Sequence, residues 1–323
     1  MPIKQFAVAV LALLLMNAFG TAHPQAYPNR PLRIIVPFGA GGVQDAVTRA
    51  CNTELGAALG QPVIVENRAG AGGVVGTVAA AKSTADGYTL LFAGASHQIN
   101  RVLYAKPPYE PLRDFTPLSY VGSTDYVLVV PASLPVSSVA ELIRNAKAKP
   151  GELNYASAGV GSAIHLSMAY LTSLAGIDML HVPLKGGGDV LIELIAGRTQ
   201  ATTVPVNVAL PYAEEPRLRM LAVTGSRRSK FLPQLPTVAE SGIPGFEFES
   251  WLGLLGPAGL PRNVVERIDA EMARVLQSPA ILERLRRQGV ETAPLGSAQF
   301  AEKLRQLEPR WADVVKRSGA KLD

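Results

Sequence analysis

Short apolar runs separated by helical patterns constrain the fold of this chain most. Runs such as residues 32–36 and 88–93 lack polar alternation, and glycine-rich loops followed by helical stretches separate them. Strands of this kind are typical of parallel sheets that helices cover on both faces. The strand–helix order of the first third recurs in the middle of the chain without an internal sequence repeat. The sequence therefore predicts an α/β fold with two parallel-core sheets.

The predicted elements follow from the spacing of apolar residues and from capping and turn signals. The predicted strands are 32–36, 63–65, 88–93, 126–130, 153–156, 179–182, 219–223 and 246–254. The predicted helices before the C-terminal region are 43–59, 74–82, 138–149, 162–175 and 188–196. Two apolar stripes that begin at Val264 and Phe300 predict core-facing C-terminal helices. Pro309, inside the second stripe, predicts a kink or a break in that helix.

The first residues predict export from the cytoplasm. Lys4 precedes an apolar run over residues 6–16, which is too short to cross a bilayer as a helix of about 20 residues. Small residues then offer a cleavage site after Ala22 or, with a poorer −3 residue, after Ala26. No later segment is long and apolar enough for a membrane span. We therefore expect a signal peptide over residues 1–26 and a soluble, exported mature protein.

Composition narrows the class of protein and of partner. A length of 323 residues predicts about two domains, and the single Cys51, expected to be buried, excludes a disulfide framework. The formal charge of +5 fits nucleic acid, a membrane surface or small anions. Because the C-terminal Arg and Lys residues alternate with acidic residues and the protein is expected to be exported, no nucleic-acid partner is predicted. His97, His165 and His181 lack metal-ligand spacing, so neither a metal nor a cofactor is predicted.

The loop over residues 37–42 is the first candidate binding element. It leaves a buried strand and opens a helix, and glycines there let backbone N–H groups approach an anion. The alternative is a tight turn that needs glycine only for its backbone angles. Asp45 falls in the first turn of the helix, where a carboxylate is favoured by the helix dipole with or without a ligand.

Three further glycine loops follow strands. The loop over 70–76 misses the dinucleotide fingerprint because Val75 stands where the third glycine is needed. In the loop over 155–165, Ser157 and Ser162 can donate hydrogen bonds to an anion, and Ser162 can also cap the next helix. His165 is read as a packed or capping histidine rather than a base. Lys185, after the strand near His181, is either a ligand-facing cation or a surface lysine.

Many short motifs, taken in their order along the chain, show a resemblance to a known protein family. The segments that carry it are 27–38 (YPNRPLRIIVPF), Gly41-Gly42, Asp45, 65–73 (VENRAGAGG), 86–90 (DGYTL), 153–159 (LNYASAG), 181–183 (HVP), 232–242 (LPQLPTVAESG) and 318–322 (SGAKL). The chain resembles the substrate-binding receptors of tripartite tricarboxylate transporters, the Bug family. The resemblance covers essentially all of residues 27–323.

The resemblance implies a two-lobed, type II-like periplasmic binding protein with an interdomain cleft. Residues 27–126 and 249–323 would form lobe 1, and residues 127–248 would form lobe 2. The strands near 126–130 and 246–254 would cross between the lobes. A monomer is expected, with a small organic anion and the membrane components of a tripartite transporter as partners.

The resemblance also implies the site. A small carboxylate would lie between the loop after the first strand and the Ser-Ala-Gly loop of the other lobe, partly held through water. The ligand-binding residues expected from the resemblance and from the loops described above are Phe38, Gly39, Ala40, Gly41, Gly42, Asp45, Ser96, Ser157, Ala158, Gly159, Gly161, Ser162, His165, Lys185 and Asn207.

Two departures from the family bear on the ligand. Residues 200–205 read QATTVP where the family usually has Asp-Leu-Met-Phe-Asp-Asn, and Leu184 replaces the usual aromatic residue. The lost acceptor at Val204 argues against a ligand amino group there and favours a more apolar or simply anionic solute. The alternatives are a receptor that presents its ligand to a sensor kinase, and an exported α/β enzyme. The enzyme alternative is not favoured, because the sequence has no G-x-S-x-G elbow, no nucleophile–base motif and no set of metal ligands.

Overall fold

The alternating segments form ten strands and ten helices in the described part of a computed structural model, residues 27–184 and 187–321. The strands are β1 Leu32–Val36, β2 Val63–Asn67, β3 Thr89–Gly94, β4 Phe115–Pro131, β5 Asn154–Ser157, β6 Leu180–Pro183, β7 Thr202–Pro205, β8 Leu218–Val223, β9 Glu249–Pro257 and β10 Glu291–Gly296. The helices are α1 Val43–Leu59, α2 Val74–Ala81, α3 Ser96–Leu103, α4 Val139–Ala148, α5 Ala163–Ala175, α6 Gly187–Ile195, α7 Val206–Ala209, α8 Arg262–Val275, α9 Pro279–Arg287 and α10 Ser297–Ser318. The predicted signal peptide lies outside the described residues.

The α/β class is confirmed, and the sheets are mixed. Strand β1 pairs in parallel with β2 and β3, and β5 pairs in parallel with β6. Strands β4, β7, β8, β9 and β10 pair antiparallel to their neighbours. The apolar runs of β1 and β3 are buried as expected for central strands, while β6 is half exposed at an edge.

Strand β4 joins two groups of strands. Its first half pairs with β9 and β10, and its second half pairs with β7 and β8. The change of partner falls between Asp125, opposite Glu249, and Tyr126, opposite Pro205. This change supports the proposal that the lobes meet near residues 126 and 249, which remains a prediction of the domain boundaries.

The C-terminal helix α10 packs against β9 and against α5. Near its start, the ring of Phe300 lies 5.4 Å from that of Trp251 on β9. Further along, the ring of Trp311 lies 5.5 Å from that of Phe248, and the Ser173 hydroxyl of α5 donates to the carbonyl of Arg317. Pro309 lies inside this helix, which continues across it, so the predicted break does not occur.

Some elements were not predicted. The first half of β4, the helix α3 and the strands β7 and β10 carry polar residues, proline or glycine that favour loops when read alone. Cys51 is buried, as predicted, and burial raises its pKa to about 12. Within the described residues, no helix combines the length and apolarity needed to cross a membrane.

His97 of α3 is buried in an aromatic cluster. Its ring stacks on Tyr109 with centroids 5.2 Å apart and meets the edge of Phe115 at 4.7 Å. The ring of Trp251 lies 6.1 Å away. Burial lowers the pKa of His97 from 6.5 to about 3, because the apolar surroundings disfavour the charged imidazolium.

Replacing His97 with phenylalanine is expected to weaken the acid sensitivity of folding. His97 is protonated below pH 6.5 in the unfolded chain but only near pH 3 in the folded chain. The contribution of neutral His97 to the free energy of unfolding is therefore complete above pH 6.5 and is lost as the pH falls towards 3. The His97→Phe variant should lose about 1.4 kcal/mol less per pH unit within this window. Urea unfolding of the wild type and of His97→Phe at pH 7 and pH 5 measures this change in the free energy of unfolding. Equal pH dependence in the two proteins would contradict the lowered pKa of His97.

Candidate functional site

The N-terminus of α1 is open towards a cavity. The loop after β1 leads directly into Val43, and the N-cap Gly42 offers no side-chain hydrogen bond to the helix. The first N–H groups of an α-helix have no acceptor within the helix. Because Gly42, Val43 and Gln44 line the cavity, these donors and the positive end of the helix dipole are available to an anion.

A buried carboxylate holds this loop in place. Asp45 is 4% exposed, and its Oδ2 accepts from the Gly41 N–H at 3.0 Å. Its Oδ1 accepts from Arg49 Nε at 2.9 Å and from Asn67 Nδ2 at 3.0 Å. The Asn67 amide also donates to the Phe38 carbonyl at 3.0 Å. These contacts tie the Asp45 carboxylate to the loop and to Asn67, so Asp45 holds the loop in position.

The N-terminus of α5 is closed by side chains. Ser162 caps the helix, since its hydroxyl accepts from the His165 N–H at 3.2 Å. The Ala163 N–H donates to the Ser96 hydroxyl at 3.1 Å. Ser96 begins α3, so this bond ties the N-terminal part of the chain to the middle part. The two helix starts therefore differ. At α1 no side chain caps the first N–H groups, whereas at α5 the Ala163 and His165 N–H groups donate to serine hydroxyls.

A serine and two histidines lie behind the second loop. Ser157 Oγ and His181 Nε2 share a hydrogen bond of 2.6 Å, and the rings of His181 and His165 stack with centroids 4.1 Å apart. Burial lowers the pKa of His181 to about 4 and that of His165, which also faces His181, to about 3. Both rings are therefore neutral at pH 7. Ser157 is 0% exposed, so a substrate has no access to this pair and it does not form a nucleophile–base site.

Two glycine loops touch across the site. A Cβ added at Gly72 would overlap the carbonyl oxygen of Val160, and one added at Gly161 would overlap Asn100 Oδ1. Asn100 Nδ2 also donates to the Gly72 carbonyl at 3.1 Å. The loop before α2 and the loop before α5 are thus in backbone contact, and only glycine allows this approach.

Two cavities flank these loops. The first has a volume of about 40 Å³ and is lined by Phe38, Gly39, Gly42, Val43, Gln44, Ser96, Tyr126, Ala158, Ser162, Ala163, Ile164, Pro205 and Val208. The second has a volume of about 550 Å³ and is lined by Phe38, Ala69, Gly70, Ala71, Gly72, Gly73, Tyr104, Ala158, Gly159, Val160 and Leu184. Phe38 and Ala158 belong to both linings, so the cavities are neighbours.

The predicted site residues divide into three groups. Those that line a cavity are Phe38, Gly39, Gly42, Ser96, Ala158, Gly159 and Ser162. Those that line neither cavity are Ala40, Gly41, Asp45, Ser157, Gly161, His165 and Asn207. Lys185 lies outside the described residues. Ligand contact by these residues remains a prediction.

Sequence reasoning missed about half of the first lining. Gln44 follows the glycine loop directly, and its position at the helix start is a signal that could have included it. Tyr126, Pro205 and Val208 come from β4, the end of β7 and α7, and no local pattern brings these segments together. In the described residues no group of three or more His, Cys, Asp or Glu side chains could hold a metal ion.

Comparison with known proteins identifies the family. The family model described as "Tripartite tricarboxylate transporter family receptor" matches residues 47–320. The chain belongs to this receptor family. It is 37% identical to protein BugT of Bordetella pertussis over 320 residues, which cover 98% of each chain.

Solved structures agree with this assignment. The periplasmic binding protein BugD has a TM-score of 0.86 at 31% identity, covering 91% of this chain and 99% of its own. The structure of R. palustris Rpa4515 with adipate has a TM-score of 0.87 at 34% identity, covering 92% of this chain and 100% of its own. The resemblance inferred from the motifs is confirmed: the chain is a solute-binding receptor and not an enzyme, and members of its family are periplasmic binding proteins.

Removing the Asp45 carboxylate is expected to destabilise the first loop. The Asp45→Ala variant removes the acceptor of the Gly41 N–H and one of the two acceptors of the Asn67 amide, at a cost of about 1 to 3 kcal/mol of folding free energy. Urea unfolding measures the loss. The control is Glu266→Ala, which removes a carboxylate paired with Arg262 on the exposed face of α8 and should change stability far less. Equal effects of the two substitutions would contradict the role given to Asp45.

Proposed function

We propose that this receptor is exported to the periplasm, binds a small organic carboxylate between its two predicted lobes, and delivers it to the membrane components of a tripartite transporter. The signal peptide would be removed after Ala22 or Ala26. The observation that carries the binding proposal is the uncapped start of α1, whose free N–H groups face a cavity completed by residues of the second loop.

The binding energy argues for a ligand held from both sides. Micromolar affinity corresponds to about 8 kcal/mol, whereas one helix terminus contributes about 0.3 to 2 kcal/mol. The remainder has to come from further donors and from burial of the ligand. Contact between Gly72 and Val160 supports a closed arrangement in which both loops surround the solute and exclude water.

The residues around the cavity favour an anion without an amino group. Val204 is 0% exposed in the core and offers no acceptor, and the next residue, Pro205, lines the first cavity. No Asp or Glu belongs to either described lining, so a ligand ammonium group would lack a carboxylate partner. The relative Rpa4515 was solved with adipate, a carboxylate that has no amino group.

A ligand panel tests the proposal. Purified mature protein should be stabilised in thermal unfolding by one or more of adipate, citrate, benzoate and hexanoate, because the α1 terminus favours negative charge. The matched neutral compounds, adipamide, benzamide and hexanamide, should have no effect, and aspartate and glutamate should bind weakly. Calorimetry confirms saturable binding. Equal binding of the amides, or stabilisation by the amino acids alone, would refute the proposed recognition.

Delivery has its own measurement. Cells that hold the membrane components should accumulate the radiolabelled carboxylate identified by the panel only when this receptor is present. Uptake that is unchanged after deletion of the receptor would exclude delivery while leaving carboxylate binding intact.

A substitution at Gly72 should block closure. In Gly72→Ala the new Cβ overlaps the Val160 carbonyl, so we expect at least a tenfold rise in Kd for any carboxylate that the panel identifies. Gly60→Ala is the matched control, because Gly60 has φ +75° against +61° at Gly72 but has open space around it. Both variants carry the same backbone strain of about 1 kcal/mol. Equal affinities of the two variants in calorimetry would contradict the closure model.

A further inference from the structure

The two cavities differ in size by more than tenfold. The first has a volume of about 40 Å³ and is the smaller of the two. The second, at about 550 Å³, falls in the range of small-molecule sites. Phe38 and Ala158 line both, so the two cavities adjoin.

The second cavity has no charged side chain among its described lining residues. Glycine, alanine and aliphatic or aromatic side chains surround it, and the Tyr104 hydroxyl is the one polar side-chain group among them. A carboxylate placed there would lose its hydration without gaining a cation. The second cavity therefore favours an apolar group.

Local hydrogen bonds occupy part of the backbone at the second cavity. The Gly70 carbonyl accepts from the Gly73 N–H at 3.0 Å and from the Val75 N–H at 3.4 Å, which closes the start of α2. At α1, by contrast, the N-cap Gly42 leaves the first N–H groups open to the first cavity. The start of α1 therefore offers donors to an anion at one end of the two adjoining cavities.

We propose that the ligand is a monocarboxylate with an extended apolar body. Its carboxylate binds at the N-terminus of α1, and its hydrocarbon or aromatic part lies in the second cavity between the 70–73 loop and the side chains of Val160 and Leu184. This assignment rests on the proposed function as a carboxylate receptor and names the class of solute for the same site.

A chain-length series measures the contribution of the apolar body. Calorimetry with butyrate, hexanoate and octanoate should give an affinity that rises about fourfold per methylene, as expected when each CH₂ leaves water. Succinate, adipate and suberate match these acids in carbon number and add a second carboxylate. Octanoate should bind at least tenfold more tightly than suberate.

The outcomes separate the two proposals. Suberate binding as tightly as octanoate would overturn the monocarboxylate assignment and leave the carboxylate receptor intact. Suberate would also bind as tightly as octanoate if Lys185, the residue after Leu184, paired its ammonium group with the second carboxylate, and this outcome would likewise overturn the assignment. No binding of any acid in either series to correctly folded protein would contradict the proposed carboxylate site itself.

A charge placed in the second cavity provides an independent test. Leu184→Lys should weaken octanoate binding at least tenfold and strengthen suberate binding, because the ammonium group pairs with the second carboxylate. Leu180→Lys is the matched control, since Leu180 is 58% exposed on β6 and lines neither cavity. Octanoate binding that is unchanged in Leu184→Lys, or equally reduced in both variants, would overturn the proposed position of the apolar body.

Discussion

The structure depends on one long strand that changes partners. Strand β4 pairs with β9 and β10 up to Asp125 and with β7 and β8 from Tyr126 onwards. Its continuous backbone therefore fixes the position of one group of strands against the other. Gly72, in the loop after β2, contacts Val160, in the loop after β5. Strand β2 belongs to the first group through β1, β3 and β9, and a bridge between Tyr155 and Ala201 joins β5 to the residue before β7 of the second group. The approach of the two loops therefore depends on the position that β4 gives to the two groups.

Within the candidate site, hydrogen bonds distinguish side chains that hold the loops in place from backbone N–H groups that have no acceptor among the described residues. Asp45 and Asn67 bind the backbone of the first loop, and Ser96 and Ser162 satisfy the start of α5. Asp45, Ser96 and Ser162 are among the predicted ligand-binding residues, whereas Asn67 is not. The free donors at α1 remain because Gly42 has no side chain to cap them. A glycine at this position leaves the helix start without the side-chain cap that a serine would provide.

Some elements were predicted more accurately than others, for a physical reason. Helix α1 has the predicted bounds, because its glycine boundaries and apolar spacing are local signals. The first half of β4 was missed because it carries Pro117, Ser119 and Gly122. It forms a strand through its ladders with β9 and β10, and the β9 ladder includes two register shifts. Tyr126 and Val208 reach the first cavity through chain segments more than 80 residues apart. No pattern within a short window reports such a meeting.

The sequence by itself determined the α/β class and the receptor family, because strand patterns and the order of motifs are local properties of the chain. Tertiary structure alone decided which loop residues face the cavities and which support them. It also decided that the second cavity has an apolar lining, since Tyr104, Val160 and Leu184 come together only when the two groups of strands are joined. Side-chain direction and long-range contact depend on packing, and packing is a property of the folded chain.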